Sequence, residues 1–230
     1  MGTSTGYLKA KRSYFFPVRR EQLSERLSVQ VGGTCNCGIF KYKSKLAVIN
    51  CSRDDAAAAL FNEIEQSAPG VSEKYLISNS SLDDDIGGAD YFRHYQRVKK
   101  DLAIGDEEIR VHPLSDTDLI YMTRRKVLFA GRLFYNGVHP PLRERGMALR
   151  AWISSLEEVL SAFDAVIVVP AEGDVTDLSG LRAFRDYLRD FSDPVVGLQT
   201  LRDRYGHYSE IIGTSSLAEN YEFARGIKVK

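Results

Sequence analysis

Residues 77–92 read ISNSSLDDDIGGADYF, with three consecutive aspartates between a short apolar strand and a pair of glycines. The preceding KYLISN is predicted to be a buried strand, and GGADYFRHYQ is predicted to begin a short helix. The glycines are expected to shape the backbone behind the aspartates.

The composition is that of an ordinary globular protein. Of the 230 residues, 43% are hydrophobic and 27% are charged, which predicts one compact domain, 1–230, with halves of about 1–107 and 108–230. The 31 basic and 31 acidic side chains balance, which disfavours a nucleic-acid partner. No apolar run has the length of a transmembrane helix, and the N-terminal residues lack the apolar core of a secretory signal. We therefore expect no membrane partner.

The chain has three cysteines, Cys35, Cys37 and Cys51. A small and odd number of cysteines argues against a disulfide framework. They predict a reducing compartment, and hence a cytoplasmic location, with thiols that are buried or half-buried. Three thiols without a clear fourth ligand make a poor zinc site. Cys51 follows a predicted strand, but a catalytic thiol needs a histidine partner or a lowered pKa, and no histidine is placed to help it.

Hydrophobic periodicity predicts an alternation of strand-rich segments and helices. GIFKYK and KLAVIN, joined at KSK, are predicted to form a hairpin. SRDDAAAALFNEIEQ is predicted to be a helix capped by Ser52, and apolar residues at helical spacing place Trp152 in the core face of a later helix. The other predicted strands are LSVQV, EIRVHPL, DLIYMT, KVLFAGRLFY and AVIVVPAEG, and the other predicted helices are RGMALRAWISSLEEVLSA, LSGLRAFRDYLRDF and LAENYEFARG.

Three of these segments, in order, resemble the metallo-β-lactamase-fold superfamily, whose members include glyoxalase-II-like hydrolases. LISNSSLDDDIGGADYF is similar to the family's strand, His-x-His-x-Asp-His turn and Gly-Gly pair. KVLFAGRLFYNGVHP is similar to its strand ending in Gly-Asp, and the segment through VIVVPAEGDVTDLSGL is similar to its strand, Pro-Gly-His-Gly loop and helix. The resemblance implies an α+β fold, a four-layer αβ/βα sandwich of two mixed sheets with helices outside.

The same resemblance implies that the family's metal ligands have been replaced in this chain. Ser80 and Leu82 fall where the first two histidines belong, Asp84 keeps the aspartate, and Asp85 replaces the third histidine. The remaining positions of the former active-site cleft fall on three residues, which are Asp116 (or Ser115) for a further histidine, Arg132 for the metal-bridging aspartate, and Glu172 for the last histidine. His94, His112, His139 and His207 fall on no ligand position.

The substituted residues disfavour zinc. Zinc sites are rich in nitrogen and sulfur donors, whereas leucine offers no donor and an arginine places a permanent positive charge at the centre. Oxygen ligands alone would suit a hard divalent cation such as magnesium, manganese or iron. The simpler interpretation is that Arg132 neutralises the surviving carboxylates as a substitute for the cation. No cofactor is then expected, and the residues that carry any catalysis are unknown.

Two functions remain open at this point. The first is a non-catalytic protein whose former active-site cleft binds a small molecule, or whose surface binds a protein partner. The second is a hydrolase or lyase with altered chemistry, either metal-independent or dependent on a hard cation held by the carboxylates. The number of replaced positions favours the first function. Neither the ligand nor the partner can be named from the sequence, and self-association into a homo-oligomer is left open.

Overall fold

The computed structural model describes residues 18–80, 87–114, 117–145, 148–211 and 216–227. Eleven strands and six helices lie in these ranges. The strands are β1 (Arg19–Ser24), β2 (Leu27–Val31), β3 (Cys37–Tyr42), β4 (Lys45–Ile49), β5 (Glu73–Ile77), β6 (Gln96–Val98), β7 (Leu102–Ile104), β8 (Glu107–Pro113), β9 (Asp118–Met122), β10 (Val127–Asn136) and β11 (Ile167–Gly173). The helices are α1 (Asp54–Ser67), α2 (Leu142–Arg145), α3 (Leu149–Ala162), α4 (Leu178–Ser192), α5 (Leu198–Tyr205) and α6 (Leu217–Ala224).

The strands form two mixed sheets. The first sheet has the order β1-β2-β3-β4-β5-β6, and the second has the order β11-β10-β9-β8-β7. Strands β3 and β4 pair antiparallel from Gly38 opposite Ile49 to Tyr42 opposite Lys45, which confirms the predicted hairpin. Strands β4, β5 and β6 run parallel in the first sheet, and β10 and β11 run parallel in the second.

The core lies in three parallel interfaces, which gives four layers. Apolar side chains from both sheets meet between them, among them Phe40 and Ile77 of the first sheet and Ile120 and Phe129 of the second. Helix α1 packs on the outer face of the first sheet, and helices α3 and α4 pack on the outer face of the second. The alternation of side chains along a strand separates these interfaces, since Phe129 faces the first sheet whereas Leu128 faces the helices. The predicted αβ/βα sandwich is therefore confirmed.

Helix α3 shows how the sequence directs a helix onto this sheet. Trp152, Leu156 and Val159 are buried at helical spacing. The indole of Trp152 donates a hydrogen bond to the carbonyl of Leu133 at 2.7 Å, so its polar atom is satisfied within the core. The prediction that Trp152 is a core residue is confirmed.

The prediction that Ser52 caps helix α1 is wrong. The residue at the cap position is Arg53, without a side-chain cap bond, and Ser52 has a positive φ of 57°. The hydroxyl of Ser52 accepts a hydrogen bond from the amide of Thr34 at 3.0 Å and lies 2.7 Å from the Thr34 hydroxyl. A contact with a loop distant in sequence has replaced the local cap.

The segment that begins at Gly87 was predicted to form a short helix, and the structure has no helix there. Residues 87–94 form successive turns, with amide-to-carbonyl bonds from Tyr91 to Gly88 and from Phe92 to Ala89, both 3.1 Å. Gly88 is needed for close packing, because a Cβ atom there would lie 2.0 Å from the Cβ of Ala57 in helix α1. The sequence also did not predict β1, β6, β7, α2 or α5.

No helix among residues 18–80, 87–114, 117–145, 148–211 and 216–227 combines the length and the apolar character that crossing a membrane requires.

Candidate functional site

Two of the predicted site residues, Ser80 and Glu172, lie at the carboxyl ends of parallel strands, and a third, Arg132, lies inside a strand. Ser80 follows β5, Arg132 lies within β10, and Glu172 lies near the end of β11. Leu82, Asp84, Asp85 and Asp116, together with the alternative Ser115, lie outside the described residues, so their predicted places in the cleft stay predictions.

The loop after β5 contacts the strand that carries Arg132. A Cβ atom at Gly131 would lie 2.7 Å from the Cβ of Asn79, the residue before Ser80. Gly131 has a φ of 51°, a conformation that favours glycine. The backbone segments of Ser80 and Arg132 are therefore neighbours across the two sheets.

Glu172 lies on the next strand of the second sheet. Its pairing partner on β10 is Tyr135, and the register of the two strands is irregular between Gly131 and Tyr135. Gly173, which follows, has a φ of 92°, and a Cβ atom there would lie 1.9 Å from the carbonyl oxygen of Asn136. The end of β11 thus depends on glycine for its approach to β10.

Buried asparagines join the two sheets at this end of the molecule. Asn79 donates through Nδ2 to the carbonyl oxygens of Phe129 at 3.1 Å and Asp118 at 2.5 Å, both in the second sheet. The amide of Asp118 donates to the carbonyl of Asn79 at 2.6 Å. Asn50, at the end of β4, donates to Oδ1 of Asn79 at 2.8 Å.

A third asparagine, Asn36, makes a similar connection nearby. The backbone amide of Asn36 donates to the carbonyl of Ala171 at 2.8 Å. Its Nδ2 donates to the carbonyls of Pro170 at 3.1 Å and Gly173 at 2.9 Å. Asn36 therefore fixes the loop between β2 and β3 to the part of β11 that carries Glu172.

These asparagines were missed as site residues. Asn50 and Asn79 each follow an apolar strand within two residues, a position where an amide side chain can satisfy backbone groups that the sheet leaves unpaired. That placement is the one signal in the sequence that could have indicated them.

A cavity of about 300 Å³ opens beside Glu172. Glu172 is 8% exposed. Arg19 and Asp174, whose side chains are exposed, lie at the rim of the cavity. The Arg19 guanidinium donates to Asp174 at 2.7 Å, and this hydrogen bond raises the pKa of Arg19 above its usual range. The remaining walls come from residues 31–33, 35–36, 136–138, 173 and 209.

The four histidines are placed elsewhere in the fold. His94 and His207 are exposed, and His112 packs edge-on against Phe163. His139 is buried, and its Nδ1 lies 3.1 Å from the hydroxyl of Tyr187. Within the part of the chain that the structure describes, no three His, Cys, Asp or Glu side chains are grouped so that they could hold a metal ion.

The donors at the described positions do not fit the zinc centre that the resemblance implies. Ser80 offers a neutral hydroxyl, Arg132 offers donors and no acceptor, and Glu172 is the one carboxylate among the three. These three side chains do not form a set of ligands that would hold a zinc ion and its bound water. The three cysteines are buried thiols that form no disulfide, as predicted from the sequence.

Solved structures of metallo-β-lactamases share the architecture of this chain. The metallo-β-lactamase from Pontibacter korlensis superposes with a TM-score of 0.63 at 16% sequence identity, covering 75% of this chain and 99% of that protein. VMB-1 gives a TM-score of 0.60 at 14% identity, covering 76% and 98%. The DIM-1 metallo-β-lactamase gives 0.61 at 16% identity, covering 75% and 97%.

No protein-family model and no curated protein sequence matches the chain. The structural similarity, at this level of identity, shows the fold. The chain therefore has the metallo-β-lactamase fold, and the fold by itself does not define an activity.

Proposed function

We propose that this chain is a non-catalytic member of the metallo-β-lactamase fold that binds a small molecule in the cleft where the fold's enzymes hold zinc. The observation that carries the proposal is the cavity of about 300 Å³ beside Glu172, at the position predicted for the family's last histidine ligand. Its volume is at the lower end of the range of ligand pockets in proteins.

The walls of the cavity favour a polar ligand that donates hydrogen bonds. Glu172 and Asp174 provide carboxylate oxygens, which accept hydrogen bonds. Arg19, the basic side chain at the rim, already donates to Asp174 and to Glu21, at 2.7 Å and 2.6 Å. A small molecule with amine or hydroxyl groups suits this surface better than an anion does.

Arg132 is proposed to take the place of the family's cation. A guanidinium satisfies carboxylates through paired hydrogen bonds and stays charged at every physiological pH. In this proposal Arg132 neutralises Asp84, Asp85 and Asp116, so the cleft needs no metal to be stable.

A thermal-shift screen with small amines and polyhydroxylated compounds tests the proposed binding, with a parallel assay for ester and lactone hydrolysis. We expect at least one compound to raise the melting temperature of the wild type. Glu172→Gln should abolish this stabilisation, while Glu158→Gln, on the exposed face of α3, should retain it. Hydrolysis that depends on Glu172, with or without an added divalent cation, would contradict the proposal and favour the altered hydrolase or lyase.

A further inference from the structure

Two thiols lie close together beside the cavity. The Sγ atoms of Cys35 and Cys37 lie 3.8 Å apart, and both side chains are buried. The Cys37 thiol also donates toward the backbone carbonyl of Cys35 at 3.5 Å, which directs it to its neighbour. Cys51 is buried too, but its thiol is directed at the carbonyl of Ser52 at 3.7 Å.

Cys35 is among the residues that line the cavity and Cys37 is not, although both are almost fully buried, with exposed fractions of 1% and 0%. A small oxidant that enters the cavity therefore meets Cys35 first. Cys37 is then placed behind it as the second thiol.

We propose that Cys35 and Cys37 form a dithiol oxidation site that a small hydroperoxide reaches through the cavity. The sulfur of Cys35 attacks one peroxide oxygen, the O–O bond breaks, and the thiol proton passes to the departing oxygen, so that Cys35 becomes a sulfenic acid and water or an alcohol leaves. The sulfur of Cys37 then attacks that of Cys35, its proton passes to the sulfenic oxygen, the S–S bond forms, and one water leaves. Two thiols are oxidised and one peroxide is reduced.

The local structure allows this closure. The sulfurs must approach from 3.8 Å to the roughly 2 Å of a disulfide bond. The preceding Gly32 and Gly33 both have positive φ, so the loop that carries Cys35 is built on residues with wide conformational freedom. The thiols lie in an apolar cluster with Ile39 and Leu60, and the product is neutral, so oxidation introduces no buried charge.

Oxidation would also act on the cavity. Asn36 stands between the two cysteines and holds the end of β11 through bonds to Ala171 at 2.8 Å and Gly173 at 2.9 Å. Closing the disulfide rotates the peptides on either side of Asn36 and so loosens these bonds. The placement of Glu172, between the two acceptors, would then depend on the redox state.

The test treats the folded full chain with hydrogen peroxide, blocks the remaining thiols with an alkylating agent, and locates the products by peptide mass spectrometry. We expect a Cys35–Cys37 disulfide, a mass loss of two hydrogens, and reversal by dithiothreitol. Cys51→Ser should behave like the wild type. Cys37→Ser should instead accumulate a sulfenic acid at Cys35, trapped by dimedone.

Two further variants test the route. Ser209→Trp places a large side chain in the lining of the cavity and should slow oxidation several-fold, while Ser161→Trp, exposed on helix α3, should not. Hydrogen exchange should show a faster amide at Asn36 after oxidation. The proposal is overturned if Cys35 and Cys37 stay reduced under these conditions, if Cys51 is part of the disulfide, or if Ser209→Trp has no effect.

Discussion

Asn50 and Asn79 hydrogen-bond each other in both directions. Nδ2 of Asn50 donates to Oδ1 of Asn79 at 2.8 Å, and the backbone amide of Asn79 donates to Oδ1 of Asn50 at 3.0 Å. The pair joins the ends of the parallel strands β4 and β5, and Asn79 continues the connection to Asp118 and Phe129 in the second sheet. The loop after β5, which carries Ser80, is therefore held by amides and needs no metal ion at these contacts.

Asn79→Ala should destabilise the protein by about 2–4 kcal/mol, because it leaves the buried carbonyls of Asp118 and Phe129 without their donor and the side-chain amide of Asn50 without its acceptor. Chemical denaturation monitored by circular dichroism measures the change. Asn62→Ala, at an exposed position of α1, is the matched control and should shift the free energy of unfolding by less than about 0.5 kcal/mol. Equal effects of the two substitutions would show that the asparagine pair does not stabilise the fold.

Gly88→Ala should destabilise the protein by about 1–3 kcal/mol, because the new methyl group overlaps the Cβ of Ala57. The double variant Gly88→Ala/Ala57→Gly removes the overlap, and it should recover part of the loss despite the lower helix propensity of glycine. Gly197→Ala, where a Cβ atom would meet nothing within 4 Å, is the control. The packing explanation would be contradicted if the double variant lost more free energy of unfolding than the two single variants lose together.

Glu107 forms a buried ion pair with Arg125. The Glu107 side chain is 0% exposed, its second carboxylate oxygen accepts from the amide of Arg124 at 3.0 Å, and the Arg125 guanidinium lies 4.7 Å from the ring centre of Phe40. Glu107→Ala should cost about 3–5 kcal/mol, because it leaves a partly buried guanidinium unpaired.

Denaturation of Glu107→Ala should be compared with Glu108→Ala, since the neighbouring Glu108 has a half-exposed side chain that pairs with Arg110 at the surface. The effect at Glu108 should be at most about 1 kcal/mol. Replacing both members of the buried pair by leucine and methionine should cost less than removing Glu107 alone. The explanation fails if the double replacement is the more destabilising of the two.

His139 should make the stability of the protein depend on pH. Its burial, with a smaller contribution from His207, lowers the pKa of His139 from 6.5 to about 4. Between these values the unfolded chain takes up a proton that the folded protein does not, so stability falls as the pH falls from 6.5 to 4. The loss over this window is about 3 kcal/mol.

Denaturation across pH 4–7 should therefore show a slope that is smaller by one proton in His139→Asn. His94→Asn, at an exposed histidine, should keep the slope of the wild type. Because the slope is compared and not the absolute stability, a general loss of packing in His139→Asn does not obscure the result. An unchanged slope would mean that His139 binds its proton equally well in the folded and unfolded states, which would contradict the prediction.

Local sequence patterns predicted the elements whose partners are close in sequence. The hairpin of β3 and β4 and the apolar face of α3 around Trp152 follow from period-two and helical spacing. The predictions failed where contacts with residues distant in the sequence determine the local structure. Ser52 has the composition of a helix cap, but Thr34, 18 residues earlier, binds its hydroxyl.

The same limit applies to the site. The resemblance placed Ser80, Arg132 and Glu172 at strand ends. The structure has Ser80 and Glu172 there, whereas Arg132 lies within β10. The resemblance gave no indication of Asn36 or Asn79, because their partners on β9, β10 and β11 are dozens of residues away in the sequence. The short strands β6 and β7 have three residues each, too few for a periodic pattern to reveal them.

The most direct test of the central claim is the metal content of the purified protein. The chain is prepared without chelator or metal-affinity resin and measured by elemental analysis before and after incubation with zinc, manganese and magnesium. We predict substoichiometric metal in every case, because in the proposed function Arg132 takes the place of the family's cation. One equivalent of bound metal that is lost in Asp84→Asn would contradict the account and establish a metal centre in the cleft.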